Sequence, residues 1–310
     1  MNERKQALLS IEDLTISFTQ YAHGFSQIDL EVIHNLSVNV YPGEIVAVVG
    51  SSGSGKSLLA HAVLGLLPAN CNASGYIRFN GELLDAKRIE ELRGNEITLV
   101  PQGVTFLDPL ERVGKQVRNG RKDTSSLARQ QELFEYYGLQ EEVADLYPFE
   151  LSGGMARRVL LSASLAERPK LVIADEPTPG LHLEAAKKAM QHFRDFADTG
   201  GGVLLITHDI ELALEVADRI AIFYAGTTLE IAKADDFRSM ETLRHPYTQA
   251  LWRAFPANGF KPYPGTQPYA KDEVKGCPFA MRCEQFSHEC EADIPLRELR
   301  GGFVRCIKAL

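Results

Sequence analysis

The chain has 310 residues, of which 45% are hydrophobic and 24% charged, and its formal net charge is −8. This is the composition of an ordinary globular protein. The acidic balance, without any run of Lys or Arg, argues against a nucleic-acid-binding surface. No apolar stretch approaches the roughly 20 residues that span a bilayer, and residues 1–6 lead into a strand pattern and not a signal sequence. We therefore expect a cytosolic chain that reaches a membrane only through protein partners.

Residues 8–49 alternate apolar and polar positions and predict antiparallel strands with a turn at 41–44. Residues 50–57 read Gly-Ser-Ser-Gly-Ser-Gly-Lys-Ser, between the apolar run 45–49 and the helix-compatible run 58–64. A Gly-rich turn between a buried strand and a helix aims backbone N–H groups at one anion. Its lysine reaches the β- and γ-phosphates, and its last serine can ligate Mg²⁺. The predicted nucleotide-binding residues are Gly50, Ser51, Ser52, Gly53, Ser54, Gly55, Lys56 and Ser57.

The middle of the chain predicts both strands and helices. Residues 74–82 indicate a hairpin and 96–100 a short strand, whereas 108–150 are polar and mostly helix-compatible. A helix is predicted over 151–168, and the apolar runs 170–174 and 202–206 predict buried parallel strands flanked by helices.

Two carboxylates follow the first of these buried runs. Asp175 can hold Mg²⁺ directly or through water. Glu176 is placed to accept a proton from an attacking water or to orient it. The alternative is a pair of solvated carboxylates at a strand end, which the phosphate loop makes the weaker interpretation.

Residues 151–155 read Leu-Ser-Gly-Gly-Met, between the phosphate loop and the Asp175 strand. Ser152, Gly153 and Gly154 can offer a hydroxyl and backbone N–H groups to an anion, although Ser152 could also be a plain helix cap. With this segment the chain resembles the ATP-binding subunits of ABC transporters, whose signature reads Leu-Ser-Gly-Gly-Gln or Leu-Ser-Gly-Gly-Met.

The resemblance implies an α/β P-loop ATPase domain over residues 8–235: a mixed-sheet core, an antiparallel β subdomain and a helical signature subdomain at about 103–165. Lys56 and Glu176 would be catalytic. Gln102 would sense Mg²⁺ and the attacking water, and His208 would be the switch histidine that bonds the γ-phosphate. The metal ligands for Mg²⁺ would come from Ser57, Gln102 and Asp175.

Two other positions follow from the family pattern. An aromatic residue that stacks on adenine is expected before the phosphate loop, where Tyr21 and Phe25 are candidates. His182 stands where the family usually has the aspartate of its D-loop, a residue that works across the dimer. A changed charge at His182 would alter the partner's site, which a heterodimer tolerates more easily than a symmetric dimer.

The resemblance also implies partners. One subunit's phosphate loop and another subunit's signature enclose each ATP. We expect a second, different ATPase subunit, two transmembrane permease subunits and an extracellular solute-binding protein, with this chain on the inner face of the cell membrane.

Residues 245–251 read His-Pro-Tyr-Thr-Gln-Ala-Leu and precede a Pro- and Gly-rich linker at 255–276 and a Cys-rich tail. This extension, 236–310, resembles that of the oligopeptide, dipeptide and nickel importer subfamily. It favours peptide import, with a nickel or metal-chelate importer, or a soluble ABC ATPase, as alternatives.

Four of the five cysteines lie in the tail, with five, six and fifteen residues between them: Cys277, Cys283, Cys290 and Cys306. In a cytosolic protein such clustering favours metal ligation over disulfides. Four thiolates can bind Zn²⁺ or an iron–sulfur cluster, and the absence of a Cys-x-x-Cys pair weakens the zinc interpretation. Some members of the subfamily carry a [4Fe–4S] cluster on a similar tail. We expect that cluster here, with zinc or simply packed thiols as alternatives.

Overall fold

The computed structural model describes residues 6–21, 26–51, 53–269, 272 and 274–310. The strands are Leu9–Tyr21 (β1), Gln27–Val40 (β2), Ile45–Val49 (β3), Cys71–Phe79 (β4), Glu82–Leu83 (β5), Ile97–Val100 (β6), Leu171–Asp175 (β7), Gly202–Thr207 (β8), Arg219–Tyr224 (β9), Thr227–Lys233 (β10), Arg297–Leu299 (β11) and Gly302–Val304 (β12). The helices are Lys56–Val63 (α1), Ala86–Leu92 (α2), Val113–Val117 (α3), Thr124–Tyr137 (α4), Gly153–Leu165 (α5), Leu183–Asp198 (α6), Ile210–Val216 (α7) and Pro246–Arg253 (α8). Among these helices, none has both the length and the apolar character that crossing a bilayer requires.

Two sheets form the framework. One is antiparallel, with strand order β2-β1-β4-β5, and the other has the order β11-β12-β10-β9-β3-β8-β7-β6. In the second sheet β9, β3, β8, β7 and β6 run parallel, whereas β10 and the β11–β12 hairpin are antiparallel. The antiparallel prediction for residues 8–49 is therefore right for β1 and β2 and wrong for β3. The physical reason is that β3 is buried on both faces and so lies in the middle of a covered parallel sheet.

The parallel strands separate two hydrophobic cores. Alternate residues of β3 face opposite sides: Ile45, Ala47 and Val49 pack in one core with residues of α4, α5 and α6. Val46 and Val48 pack in the other core with residues of β1, β2 and α1. Every residue of β3, β7 and β8 is buried. These strands therefore form a rigid base for the loops that follow them.

Parallel pairing also aligns the ends of the strands. Val49 pairs with Thr207, Asp175 pairs with Ile206, and Val100 pairs with Ala174. The segments that begin at residues 50, 101, 176 and 208 consequently leave the sheet at one edge.

The other predicted elements are confirmed, with small shifts of boundary. The hairpin at 74–82 is β4–β5, whose turn residues Asn80 and Gly81 have φ values of +51° and +79°, as a tight two-residue hairpin requires. The polar stretch 108–150 forms α3, α4 and 3₁₀ turns at Glu141–Asp145 and Pro148–Glu150. The linker at 255–276 contains a single short 3₁₀ turn, Pro256–Asn258, within its described part.

The C-terminal region continues the large sheet, since β12 pairs with β10. A buried ion pair stabilises this junction: the Arg244 guanidinium lies 3.2 Å from Glu230 Oε1 and 2.9 Å from Asp236 Oδ2. Glu230 also accepts the N–H groups of Arg244 and His245 at 2.9 and 2.8 Å, and Arg244 donates to the carbonyl of Leu299 at 2.7 Å. Because these groups satisfy one another, the two charges can stay buried.

His192 joins α6 to α4 through a hydrogen bond between its Nδ1 and the hydroxyl of Tyr137. Burial lowers the pKa of His192 from 6.5 to about 4, and Arg129 lowers it further, while Asp195 and Glu132 act in the opposite direction. The folded chain therefore keeps this imidazole neutral at a pH where the unfolded chain protonates it.

We predict that the free energy of unfolding declines as the pH falls from about 6.5 to about 4, because only the unfolded state binds this proton over that interval. His192→Phe should flatten this decline in urea denaturation at several pH values, although it costs about 1 kcal/mol at neutral pH through the lost hydrogen bond. His288→Phe replaces a histidine whose side chain is 94% exposed and should keep the slope. An unchanged slope in His192→Phe would contradict the assignment.

Candidate functional site

The phosphate loop lies where the sequence predicts it, between β3 and α1. Gly53 and Gly55 adopt φ values of +75° and +94°, a conformation that glycine adopts without steric cost. Gly50 passes so close to β9 that a Cβ there would lie 2.3 Å from the carbonyl oxygen of Phe223. Ser52 lies outside the described residues. The loop thus has the tight backbone course that phosphate binding needs.

Lys56 turns back into this loop. Its ammonium group is buried and donates to the carbonyls of Gly50 at 2.8 Å and Ser51 at 2.7 Å. Burial lowers the pKa of Lys56, while the carboxylates of Glu176 and Asp175 raise it. A cation is therefore held at the centre of the loop by its own backbone and by two carboxylates.

Asp175 ends β7 and is buried beside α1. The Ser57 hydroxyl hydrogen-bonds to its carboxylate, and burial raises the pKa of Asp175 despite that bond. Its Oδ1 atom is also buried and has no hydrogen-bond partner among the described residues. A carboxylate oxygen without a partner, beside a serine hydroxyl, fits the oxygen ligands that Mg²⁺ prefers.

Glu176 and His208 meet at the same edge. His208 Nδ1 lies 2.9 and 2.8 Å from the two carboxylate oxygens of Glu176. The carboxylate is 9% exposed, whereas the histidine side chain is 55% exposed. The pair therefore places a buried base next to a ring that is open to a ligand.

The backbone of Glu176 is strained. Its φ is +46°, in the left-handed region that non-glycine residues enter at a cost of about 1–3 kcal/mol. The N–H of Glu176 donates to the carbonyl of Ile206 at 2.8 Å, which carries the sheet one residue beyond β7. The strained residue is also the one whose carboxylate contacts His208 Nδ1.

Gln102 follows β6 at the same edge, and its side chain is exposed. Its backbone is held by Arg157 of α5, whose buried guanidinium donates to the carbonyl of Pro101 at 2.6 Å and to that of Gln102. Burial lowers the pKa of Arg157, and Asp175 raises it. Sequence reasoning missed Arg157, because an arginine in a helical pattern is ordinary and its two acceptors lie more than fifty residues away in the chain.

The Ser-Gly-Gly segment lies at the start of α5. Ser152 is the N-cap, and its hydroxyl accepts the N–H of Met155 at 3.3 Å. Ser152 and Gly153 are exposed. The plain cap role of Ser152 is thus present, and the exposed N–H groups of the first turn remain open to an anion from outside the chain.

The remaining predicted positions are more peripheral. Tyr21 is 72% exposed at the end of β1, and Phe25 lies outside the described residues. His182 is the N-cap of α6, where its Nδ1 accepts the N–H of Ala185 at 3.3 Å. The histidine therefore performs the capping that an aspartate would perform at this position.

The four tail cysteines lie within electrostatic reach of one another. Burial raises the pKa of Cys277 to about 11, and the thiols of Cys306, Cys283 and Cys290 raise it further. Burial likewise raises the pKa of Cys283 and of Cys306. Within the part of the chain that the structure describes, no three His, Cys, Asp or Glu side chains form a group ready to hold a metal ion. The thiols are gathered, but as they stand they pack as small apolar groups.

Comparison with known proteins gives two matched families. Residues 33–179 match the ABC transporter family, and residues 229–290 match the oligopeptide/dipeptide transporter C-terminal region. The oligopeptide transport ATP-binding protein OppD of Escherichia coli is 32% identical over 99% of this chain and 94% of that protein. The dipeptide transport ATP-binding protein DppD of the same organism is 34% identical over 93% of this chain and 92% of that protein.

Solved structures agree at the level of the ATPase domain. A dimeric ATP-binding cassette, solved in a post-hydrolysis state with ADP and Pi, superposes with a TM-score of 0.63. It is 26% identical and covers 73% of this chain and 98% of its own. The phosphate loop, the buried acidic edge and these matches together lead to one conclusion: the chain belongs to the ATP-binding subunits of ABC transporters, in the group that carries the oligopeptide/dipeptide C-terminal region.

Proposed function

We propose that this chain is the ATP-hydrolysing subunit of an importer for dipeptides or oligopeptides. The observation that carries the ATPase assignment is the Glu176–His208 pair, which lies at the same sheet edge as Lys56 and Asp175. The match of residues 229–290 supports peptides as the solute, as do the names of the OppD and DppD relatives.

ATP binding follows from the loop. The backbone N–H groups around Gly53 and Gly55 surround the phosphates, and the Lys56 ammonium exchanges its loop carbonyls for phosphate oxygens. Ser57 and Asp175 would hold Mg²⁺, with Gln102 reaching it from β6. When bound, the metal neutralises charge on the β- and γ-phosphates.

Hydrolysis needs a positioned water. Glu176 accepts its proton or orients it, because the carboxylate is buried and fixed through His208 Nδ1. His208 presents Nε2, on its exposed ring, to the γ-phosphate. Most of the rate enhancement then comes from positioning and charge stabilisation.

The signature of Ser152, Gly153 and Gly154, of which the first two are exposed, would complete the ATP site of a second ATPase subunit, which we propose is a different chain. Dimer closure on ATP and opening after hydrolysis would drive two permease subunits, fed by an extracellular solute-binding protein. We propose that the chain acts on the cytoplasmic face of the membrane. We also propose that residues 8–235 form the ATPase unit, with 103–165 as its helical part, and that 236–310 form the extension.

We further propose that Cys277, Cys283, Cys290 and Cys306 bind a [4Fe–4S] cluster. The thiols are close enough to raise one another's pKa, which supports a shared site. A cubane cluster is larger than a single ion, so its ligands need not surround one point. Burial opposes ionisation of these thiols, so that the bound cluster would have to supply the energy for their deprotonation.

The function is tested by Glu176→Gln in the complex with the partner ATPase and permeases. We expect ATP hydrolysis to fall at least about 100-fold, because the amide cannot accept a proton, with ATP affinity retained. Uptake of a labelled tripeptide should fall in parallel in cells that depend on this transporter. Glu90→Gln, an exposed carboxylate on α2, should change neither quantity. Normal hydrolysis in Glu176→Gln would refute the assigned base, and uptake of nickel but not peptide would refute the solute.

Arg157 provides a second test, since it fixes the backbone of Gln102. Arg157→Met should lower kcat about ten-fold and change KM for ATP less, because Gln102 loses its position while the phosphate loop is untouched. Arg157→Lys should recover part of the rate. Ser164→Ala removes another bond from α5, to the carbonyl of Leu99 at 2.9 Å, without reaching Gln102. If Ser164→Ala lowers kcat equally, Arg157 is merely structural.

The cluster proposal predicts a brown protein after anaerobic purification of the full chain. We expect an absorption band at about 400 nm and about four irons per chain. Cys306→Ser should lose both, and Cys71→Ser, a cysteine at the start of β4, should keep them. Stoichiometric zinc without iron would replace the cluster with a zinc site, and a metal-free protein would reduce the four thiols to packing.

A further inference from the structure

A segment of the C-terminal region, residues 263–269, lies against the phosphate loop. The Ser51 hydroxyl donates to Gln267 Oε1 at 2.5 Å, across 216 positions of sequence. Thr266, Gln267 and Pro268 also line a cavity of about 710 Å³ together with Ser51 and other loop residues. The extension therefore reaches the nucleotide site of its own chain.

The course of this segment is fixed by Arg282. Its guanidinium donates to the carbonyls of Pro264 at 2.9 Å and Tyr263 at 3.2 Å, and its own carbonyl accepts the Tyr263 hydroxyl at 2.6 Å. Gly265, at φ +87°, packs so that a Cβ would lie 3.3 Å from Arg282 Nε. The segment is consequently held two residues before Gln267.

Arg282 is itself attached to the large sheet and adjoins a tail cysteine in sequence. It donates to the hydroxyl of Tyr224, the last residue of β9, at 3.0 Å. It immediately precedes Cys283 in sequence. A continuous set of contacts thus runs from the tail through Arg282 and the 263–267 backbone to Ser51.

The contact with Gln267 acts on Ser51, whose backbone already has two hydrogen bonds within the loop. The Ser51 carbonyl accepts from Lys56 Nζ and from the Ser54 hydroxyl at 2.7 Å each. The loop is rich in glycine, so that fixing its backbone before ATP arrives removes an entropy cost from binding. Gln267 holds the Ser51 side chain from a segment outside the loop.

We propose that Gln267 is a positioning residue of the nucleotide site, supplied by the C-terminal region and anchored by Arg282, which preorganises the phosphate loop for ATP. The inference rests on the proposed function, since it assumes that nucleotide binds this loop. It goes further in assigning a residue outside the ATPase motifs to that site.

The test is nucleotide affinity of the full chain, measured with trinitrophenyl-ATP and Mg²⁺ under conditions without turnover. Gln267→Ala should weaken binding about three- to ten-fold, the value of one hydrogen bond. Gln285→Ala, the same substitution at an exposed tail position, should leave affinity unchanged. Gln267→Glu keeps an acceptor for Ser51 but adds negative charge near the phosphates, and its loss of affinity should shrink at high salt.

A double-mutant cycle separates positioning from a general effect on the fold. In a Ser51→Ala background, Gln267→Ala should cause no further loss of affinity. The proposal is overturned if Gln267→Ala causes an equal loss of affinity in both backgrounds. It is also overturned if Gln267→Ala alone binds nucleotide within two-fold of the native chain, or more tightly than the native chain. Lys56→Ala tests the assumption beneath it: if that variant binds nucleotide as well as the native chain, the proposed function fails too. If Lys56→Ala abolishes binding while Gln267→Ala does not weaken it, only this inference fails.

Discussion

The buried charge cluster at the carboxyl edge of the parallel sheet is the constraint on which the rest of the structure depends. Burial makes the Lys56 ammonium and the Asp175 carboxylate each unfavourable in charged form, and each offsets the cost of the other. This balance requires that the strands beneath be rigid and dry, which the fully buried β3, β7 and β8 provide. Lys56 is bonded to its own loop carbonyls, and the Asp175 Oδ1 atom has no hydrogen-bond partner within the described part of the chain. Both groups can therefore exchange their present surroundings for a ligand. The site therefore combines a stable base with polar groups that fit the magnesium–nucleotide complex proposed for it.

Two side chains from distant parts of the chain fix the loops around this cluster. Arg157 reaches from α5 to the Gln102 backbone, and Gln267 reaches from the C-terminal region to Ser51. Each of these contacts joins an irregular loop to another part of the chain: α5 in one case and the C-terminal region in the other. Through such contacts, a movement of α5 or of the tail would change the positions of Gln102 or Ser51 at the proposed nucleotide site. A protein that couples ATP binding to a conformational change needs connections of this kind.

Much of this arrangement could be predicted from sequence because it depends on local patterns. An apolar run with a polar residue at its end precedes each of three site segments: the phosphate loop, Asp175 and His208. Parallel pairing of these strands then brings their ends to the same edge of the sheet. The left-handed backbone of Glu176 could not be predicted, because this conformation is unusual for a residue other than glycine and the local sequence carries no signal for it. Arg157 and Gln267 carry no local signal, since their partners lie far away in sequence. The antiparallel prediction fails at β3 because the alternation of β1 and β2 does not extend to this strand, which is buried along its whole length.

The C-terminal region is joined to the rest of the chain by strand pairing and by buried arginine side chains. Its hairpin adds to the main sheet at β10, and the buried Arg305 side chain donates to the carbonyls of Ile294 at 2.8 Å and Asn35 at 2.9 Å, so that it joins the tail to β2. Buried guanidinium groups are costly unless several acceptors surround them, and both Arg244 and Arg305 have theirs at such junctions. Because these bonds need partners from both regions at once, the tail and the ATPase sheet stabilise each other. The same region also reaches the phosphate loop, since Arg282 holds the backbone that precedes Gln267 and Gln267 accepts the Ser51 hydroxyl.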